Sequence, residues 1–322
     1  MGINVLKGGL LSTIQDTGRF GYRKDGIILS GAMDTLALRT GNMIVGNDEH
    51  EAGIECTLIG PGILFESDQL IALSGADLSA TIDNIPLKMW RPVLVRKGSV
   101  LGFGAAVAGC RSYLTVSGGF AVAKILGSRS TYLRAGFGGL KGRALQAGDY
   151  IPFRERYQET LHDFNWSCDL SAFYPDLNDR VIRVIKGPEH ELFSAGSRQA
   201  FFEQEFQLSN ESDRMGYRLK GPVLALETPQ EMISSAVTFG TVQVTGKGDA
   251  IVLMADHQTT GGYPRIVQVI TADFSKLAQL QSGQKIRFEL VTLAQAQAAL
   301  LHQEQQIKQL QQTLTFKYNN DI

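Results

Sequence analysis

The high glycine content of this chain limits the folds that it can adopt. The sequence holds 35 glycines among 322 residues, scattered through short apolar runs without the period of a collagen. Glycine tolerates left-handed backbone conformations and weakens helix interiors, so this distribution favours short strands joined by tight turns. A mainly β fold with few helices is therefore predicted.

The charge balance argues against some classes of partner. The chain carries 31 Lys and Arg against 32 Asp and Glu, a formal net charge of −1, whereas a general nucleic-acid binder usually has a basic excess.

The apolar fraction of 43% is typical of a globular protein. The three cysteines fit neither a disulfide framework nor a zinc motif. With no signal-peptide pattern and no long apolar segment, a cytoplasmic protein without a membrane span is predicted.

Changes in composition divide the chain. Residues 1–155 are glycine-rich and strand-like, and residues 156–180 are polar and aromatic with little periodicity, which is typical of a connection. Residues 181–291 return to strands and turns and are predicted to form a second β domain. Residues 292–314 contain neither Gly nor Pro and are predicted to form a C-terminal helix. Its few apolar heptads favour packing on the body of the protein over a coiled coil.

Three local predictions are specific enough to test. Asp34 is a predicted N-cap for a helix that extends to Val45. Residues 54–78 contain apolar runs around two turn signals, which is a hairpin pattern. Residues 19–26 (RFGYRKDG) and 214–221 (RMGYRLKG) share the pattern R-x-G-Y-R-x-x-G. This repeated pattern favours a duplicated β domain.

Several common signatures are absent from the sequence. It contains no GxxxxGK[ST], HExxH or GxSxG motif, and the glycine run at 136–141 has lysine where a dinucleotide fingerprint requires glycine. Lys88-Met89 matches only half of a biotin-attachment motif, so no covalent biotin is expected on this chain.

Four compact clusters combine polar side chains with glycines. Carboxylate and guanidinium groups beside glycines let a ligand approach both side chains and backbone N–H groups. The same residue types also hold turns in place, and their spacing names no substrate. The clusters lie at residues 15–19 with 30–34, at 117–119 with 127–131, at 213–218 and at 256–264.

The residues in these clusters and their order along the chain resemble the motifs of one known family, and the resemblance extends from about Gly9 to the C-terminal helix. This family is the allophanate hydrolase subunit 2 family, also called the biotin-dependent carboxyltransferase-like family. The resemblance implies two cyclophilin-like β-barrel domains with a C-terminal helix. The matching stretches are Gln15-Asp16-x-Gly18-Arg19-x-Gly21-Tyr22, Ser30-Gly31-Ala32-Met33-Asp34, Gly127-Ser128-Arg129-Ser130-Thr131, Asp213-Arg214-Met215-Gly216-Tyr217-Arg218-Leu219 and Gln258-Thr259-Thr260-Gly261-Gly262-Tyr263-Pro264.

The resemblance also implies an activity. Free-standing bacterial members are mostly the C subunit of the ATP-dependent 5-oxoprolinase, which opens 5-oxo-L-proline to L-glutamate with ATP and Mg²⁺. The B and C subunits would activate the lactam by phosphorylation and the A subunit would hydrolyse the product, so this chain is expected to be inactive alone. Two alternatives remain open. One is the carboxyltransferase component of a biotin-dependent urea carboxylase-like system, and the other is a regulatory antagonist of a kinase inhibitor.

The resemblance assigns positions rather than individual roles. Arginines would bind phosphate and the substrate carboxylate, aspartates would lie near the ring N–H or a metal, and amide and hydroxyl groups would orient the substrate. No resident metal site is predicted. The catalytic candidates are Asp16, Arg19, Asp213 and Arg214, and the substrate-binding candidates are Gln15, Ser30, Asp34, Arg129, Arg218, Gln258, Thr259 and Tyr263.

Overall fold

The computed structural model describes residues 1–155, 157, 164–171 and 173–320, and these residues are mainly β, as predicted. In this part of the chain, no helix is both long and apolar enough to cross a membrane. The α-helices are α1 (Thr35–Ile44), α2 (Ala195–Glu203), α3 (Phe274–Ala278) and α4 (Leu293–Asn320).

Contacts between residues divide the described chain into two compact units. Unit 1 takes the described residues of Met1–Phe20, Ser30–Tyr174 and Gln306–Ile322, and unit 2 takes Gly21–Leu29 and Pro175–Gln305. Neither unit is one continuous stretch of chain. The domain boundaries predicted at residues 155, 180 and 291 stay a prediction, and part of the predicted connection at 156–180 lies outside the described residues.

The strands of unit 1 form two sheets with antiparallel pairings. One sheet has the order β11-β1-β4-β9-β6-β7 and the other β2-β3-β10-β5-β8. Fully buried side chains such as Ile3, Ile54 and Phe65 form one apolar core between them. The strands are β1 (Gly2–Lys7), β2 (Leu11–Gln15), β3 (Gly53–Thr57), β4 (Gly62–Phe65), β5 (Gln69–Asp77), β6 (Thr81–Ile82), β7 (Ile85–Pro86), β8 (Val93–Val95), β9 (Val100–Gly102), β10 (Ala108–Val116) and β11 (Tyr150–Pro152).

The hairpin predicted for residues 54–78 is wrong in its pairing. The apolar runs are strands, but β3 pairs with β2 and β10, whereas β4 pairs with β1 and β9 in the other sheet. The turn between them is held from outside: the N–H of Leu58 donates to the carbonyl of Cys110, and the carbonyl of Ile59 accepts from Leu10. These bonds carry the chain from one sheet to the other instead of folding it back.

Unit 2 contains a closed barrel, in agreement with the predicted barrel architecture. Its order is β12-β19-β16-β17-β14-β13-β20, closed by a parallel pairing of β12 with β20. Phe201 of α2 stacks on Phe288 inside the unit, with ring centroids 4.6 Å apart. The strands are β12 (Val181–Lys186), β13 (Phe206–Leu208), β14 (Gly216–Lys220), β15 (Ser235–Ala236), β16 (Thr241–Val244), β17 (Ala250–Leu253), β18 (Thr260–Gly261), β19 (Arg265–Val269) and β20 (Lys285–Leu290).

The repeated pattern R-x-G-Y-R-x-x-G takes two different conformations. Its first copy forms a turn and a short 3-10 helix at Arg23–Asp25, with Gly21 and Gly26 at φ of 95° and 77°. Its second copy includes strand β14, which is extended. Because the local structures differ, the match does not support a duplicated domain.

The predicted start of α1 is confirmed, and the predicted end of the C-terminal helix is wrong. Asp34 caps α1 as predicted, because its Oδ1 accepts the N–H of Ala37 at 3.0 Å. Helix α4 continues to Asn320 instead of ending at residue 314. Its side chains Ile307 and Leu314 are buried in an apolar cluster of unit 1, so this half of the helix packs on the body of the protein.

Truncation of Leu314 should destabilise the protein. Leu314 is 4% exposed, whereas Leu301 of the same helix is 63% exposed. We expect Leu314→Ala to lower the free energy of unfolding by about 3 kcal/mol, through lost apolar burial and a residual cavity. Leu301→Ala should change it by less than about 0.5 kcal/mol. Urea unfolding of both variants measures the difference, and equal effects would contradict the packing described for α4.

Candidate active site

The carboxylate of Asp16 is the centre of a polar cluster in unit 1. It is buried and accepts hydrogen bonds from the N–H groups of Gly18 (2.9 Å) and Arg129 (2.6 Å) and from the hydroxyls of Ser128 (2.7 Å) and Ser130 (2.5 Å). These charge-assisted bonds offset the cost of burying the carboxylate. They also join the loop that follows β2 to a segment more than a hundred residues away in sequence.

Gln15 and Ser30 meet the same distant segment. Gln15 Nε2 donates to the carbonyl of Thr131 at 3.2 Å, and Ser30 Oγ donates to it at 3.1 Å. Ser30 has a φ of 55°, followed by Gly31 at 93°, a left-handed turn that brings this serine back to the segment. Both side chains therefore fix loop geometry, and the structure places them beside Asp16.

Arg19 lies fully buried in the same cluster. Its Nε donates to the carbonyl of Ile125 at 3.1 Å and its Nη2 to the carbonyl of Ser130 at 2.8 Å. The guanidinium also lies over the ring of Phe137, 4.8 Å from the centroid. The position of this positive charge is thus set by the backbone and by an aromatic face.

Arg129 is held from two sides. Its Nε donates to the carbonyl of Val122 at 2.9 Å, and its Nη1 lies 3.1 Å from a carboxylate oxygen of Glu51. The other oxygen of Glu51 accepts from Arg154 at 2.7 Å. One buried carboxylate therefore fixes two guanidinium groups, and Arg129 keeps part of its surface accessible.

Asp34 belongs to a separate network. Besides capping α1, it accepts the hydroxyl of Tyr174 at 2.6 Å, and its N–H donates to the hydroxyl of Tyr113 at 2.7 Å. Tyr113 in turn donates to Glu55 at 2.7 Å. Burial, with Glu55 and Asp34 nearby, raises the pKa of Tyr113, so its proton stays in this bond. The geometry gives Asp34 the contacts of a helix cap.

In unit 2, two of the sequence clusters meet in a buried ion pair. Arg214 Nε lies 2.9 Å from Asp256 Oδ2, and Arg214 Nη2 lies 3.0 Å from Asp256 Oδ1. The two residues are 5% and 4% exposed, and the N–H of Asp256 donates to the carbonyl of Arg214. This two-pronged geometry fixes the guanidinium in one plane.

His257 follows this pair and is a candidate base that lies in the sequence cluster 256–264 but was not among the predicted site residues. Its Nδ1 lies 2.5 Å from the carbonyl of Gln258, which assigns the proton to Nδ1 and leaves Nε2 with a lone pair. Burial, together with the charge of Arg23, lowers the pKa of His257. The imidazole is therefore neutral near pH 7. Its signal in the sequence was its place in the cluster 256–264, whereas its spacing to the other histidines fits no metal motif.

Arg23 is a second residue that the sequence analysis did not single out. Its guanidinium donates to the carbonyl of Val237, and the N–H of Val237 donates to the carbonyl of Thr259 at 3.2 Å. Arg23 therefore belongs to the surroundings of His257 in unit 2. Gln258 and Thr259 are half-buried there.

The remaining predicted residues of unit 2 are more exposed. Asp213 accepts the N–H groups of Met215 and Gly216 in an exposed turn. Arg218 lies on the outer face of β14, 3.9 Å from Glu211, and Tyr263 is 50% exposed. The predicted residues thus form one set in unit 1 and one in unit 2. Their catalytic and substrate-binding roles stay predictions.

The acidic residues that the structure describes do not form a metal site. Among the residues that the structure describes, no group of three or more His, Cys, Asp or Glu side chains could hold a metal ion. The carboxylate oxygens of Asp16 are occupied by donors, and those of Asp256 pair with Arg214. These carboxylates fit a role in holding geometry rather than in binding Mg²⁺.

Residues 25–290 match a protein-family model described as "Carboxyltransferase domain, subdomain A and B". The chain belongs to this carboxyltransferase domain family. It is 42% identical over 294 residues to the C subunit of 5-oxoprolinase from Haemophilus influenzae, covering 91% of this chain and 93% of that protein. It is 40% identical over 309 residues to the C subunit of 5-oxoprolinase from Escherichia coli K12, covering 96% and 97%.

A solved relative confirms the fold of this carboxyltransferase-domain protein. The crystal structure of the K. lactis urea amidolyase superposes with a TM-score of 0.89 at 29% sequence identity. The match covers 96% of this chain but only 20% of that chain, so the carboxyltransferase-domain protein spans about a fifth of the larger enzyme.

The buried His257 should make stability depend on pH. Its pKa is lower in the folded than in the unfolded protein, so the unfolded state gains the proton first as the pH falls below about 6.5. We expect the wild type to lose more stability than His257→Gln between pH 7.5 and 5.5. Burial also lowers the pKa of His190, but both proteins contain this residue and its contribution cancels in the comparison. Urea unfolding at both pH values measures the difference. Equal losses would contradict a buried neutral imidazole.

The hydrogen bonds of Asp16 give a second prediction. Asp16→Asn replaces an acceptor oxygen by an NH₂ group that faces donors, so we expect the free energy of unfolding to fall by about 2 kcal/mol. The matched control is Asp213→Asn, because Asp213 holds an exposed turn and its change should cost less than about 0.5 kcal/mol. Thermal or urea unfolding distinguishes the two. A tolerated Asp16→Asn would show that the cluster does not hold the loops together.

Proposed function

We propose that this chain is the C subunit of an ATP-dependent 5-oxoprolinase. The observation that carries the proposal is its 42% and 40% identity to two relatives of that name, over more than nine-tenths of each chain. A merely shared domain would match a small part of a longer protein. Here the two lengths correspond almost completely, which supports an equivalent role in a complex with other subunits.

The proposed reaction starts with an unreactive amide. The lactam nitrogen of 5-oxo-L-proline donates into its carbonyl, so the carbon is a poor electrophile. In the proposed step, the lactam oxygen attacks the γ-phosphorus of ATP, ADP leaves, and the ring nitrogen loses its proton. One water then adds to the activated carbon and the C–N bond breaks, the nitrogen taking up protons as it leaves, to give γ-glutamyl phosphate. A second water hydrolyses this acyl phosphate to glutamate and phosphate. This phosphorylation requires fixed positive charge and a neutral base.

The residues of this chain offer both requirements. Arg214, in the same unit as His257, has a fixed guanidinium group, which we assign to the phosphate or the substrate carboxylate. In unit 1, Arg19 and Arg129 have fixed guanidinium groups of the same kind. His257 Nε2 is the proposed acceptor for the ring proton, since burial keeps the imidazole neutral. The side chains of Gln258 and Thr259, half-buried beside it, would orient the lactam.

The partners and cofactors follow from the same proposal. The B subunit would complete the activating site, the A subunit would hydrolyse the activated product, and this chain would be inactive alone. Because the described acidic residues offer no metal site, Mg²⁺ would enter bound to ATP rather than on this chain. No covalent biotin is required, and the complex would act in the cytoplasm.

One observation favours a second candidate function. The superposition on the K. lactis urea amidolyase at a TM-score of 0.89 supports a carboxyltransferase component of a urea carboxylase-like system. Because the chain spans about a fifth of that enzyme, such a role would require a biotin carrier on a separate chain.

Reconstitution tests the proposed function directly. Release of glutamate and ADP is measured with 5-oxo-L-proline, ATP and Mg²⁺, first with this chain, then with the B subunit present, and then with the A and B subunits together. Glutamate formation that requires all three chains is the expected result. A stable complex with the B subunit that turns over no 5-oxoproline would overturn the proposal. Urea-dependent decay of carboxybiotin would instead establish the second candidate.

Substitutions test the roles within the complex. Arg214→Lys keeps the charge opposite Asp256 but loses the planar fork, and we expect kcat to fall about 100-fold. His257→Gln should fall by a similar factor and remove the acidic limb of the kcat/KM pH profile. Arg287→Gln is the matched control, because Arg287 is 62% exposed and pairs with Glu205 on the surface. If all three variants keep full activity and the same pH profile, the assigned roles are wrong.

A further inference from the structure

A half-open cavity in unit 2 is lined by Tyr263 but by none of the other site residues described above. Its volume is about 530 Å³, which is within the range of small-molecule pockets. Its lining includes apolar side chains that are buried or half-buried, among them Phe193, Leu224, Met232 and Val244. The cavity is therefore suited to an apolar body that leaves one end near solvent.

Several hydrogen-bond donors lie together in one turn that lines this cavity. The turn between β16 and β17 brings Lys247 to the rim, and Lys247 forms no ion pair with a carboxylate among the described residues. The N–H groups of Gly246 and Lys247 likewise find no acceptor within the described chain. An ammonium and two N–H groups on one short turn form a compact set of donors for an anion.

A long exposed segment also contributes to the lining of the cavity. Residues 228–234 make no hydrogen bond to other described residues, and Ile233 is 91% exposed. This segment carries Glu231, the only acidic side chain that lines the cavity in the described structure. The charges of Lys247 and Glu231 are not paired with each other, so each is available to a ligand.

We propose that this cavity binds a small monocarboxylate with an apolar body. The apolar part lies between Leu224, Met232 and Val244, and the carboxylate meets Lys247 and the N–H groups of the turn. The position of Glu231 gives the site a preference: it repels a second negative charge, so a monoanion binds better than a dianion. Binding at this cavity does not depend on the proposed oxoprolinase activity.

The probes are 4-phenylbutyrate and its uncharged analogue 4-phenylbutan-1-ol, measured by ligand-observed NMR and titration calorimetry with the full chain. We expect saturable binding of the carboxylate with a dissociation constant of about 1 mM, which is ordinary for a ligand of this size. Lys247→Gln should weaken it about three-fold and Glu231→Gln should tighten it by a similar factor. Neither change should alter binding of the alcohol.

Two further variants locate the site. Ala225 lines the cavity and is exposed, so the side chain of Ala225→Trp can fill it from the rim and should abolish binding of both probes. Lys220→Gln removes an exposed lysine of β14 that does not line the cavity, and it should leave binding unchanged. Unfolding curves confirm that each variant is folded.

Several results would overturn the proposal. Absence of saturable binding, equal affinity for the acid and the alcohol, or binding that Ala225→Trp leaves intact would each show that the cavity is not a carboxylate site. Added salt provides an independent check, since it should weaken only the acid. Because these measurements need no turnover, their failure is distinguishable from failure of the oxoprolinase assay.

Discussion

Burial of negative charge is the constraint on which the loops of this protein depend. A carboxylate removed from water requires a full set of donors, and each set here comes from segments far apart in the sequence. Asp16 collects donors from residues 18 and 128–130. Asp273 is fully buried and accepts from the backbone and side chain of Arg183. Glu51 holds two arginines. The glycine-rich turns supply the backbone freedom that lets these segments meet.

This constraint divides the polar residues of the candidate active site into two kinds. Arg19, Arg129 and Arg214 are fixed by carbonyls or carboxylates, so their charges have defined positions before any ligand arrives. Preorganised charge of this kind acts without reorganisation during a reaction. His257 is different, because only its Nδ1 is engaged and burial keeps it neutral. For the same reason Asp16 and Asp256 offer little to a metal ion, because their carboxylate oxygens already accept hydrogen bonds or pair with an arginine within the fold.

Features that depend on residues close together in the sequence were predictable, whereas features that depend on residues far apart were not. The cap of α1 was predictable because Asp34 and the N–H it binds are three residues apart. The hairpin at 54–78 was not, since the pairing of β3 and β4 is decided by strands distant in sequence. The sequence motif identified Arg214 as a site residue, but it did not predict the ion pair with Asp256, which is 42 residues away. His257 lies in a predicted cluster, but its role was not predicted, because that role depends on burial and on one carbonyl contact, and residue spacing reveals neither.

The parallel pairing that closes the barrel of unit 2 affects how the protein is made. Strand β12 begins at Val181, and its partner β20 ends at Leu290, so the first strand of the barrel is synthesised long before the last. Until β20 leaves the ribosome, one edge of β12 has no partner, and exposed strand edges are sites of incorrect pairing. Closure also requires a long loop to be formed, which makes it an intrinsically slow event. The nascent chain therefore exposes an unpaired edge of β12 until β20 is available to close the barrel.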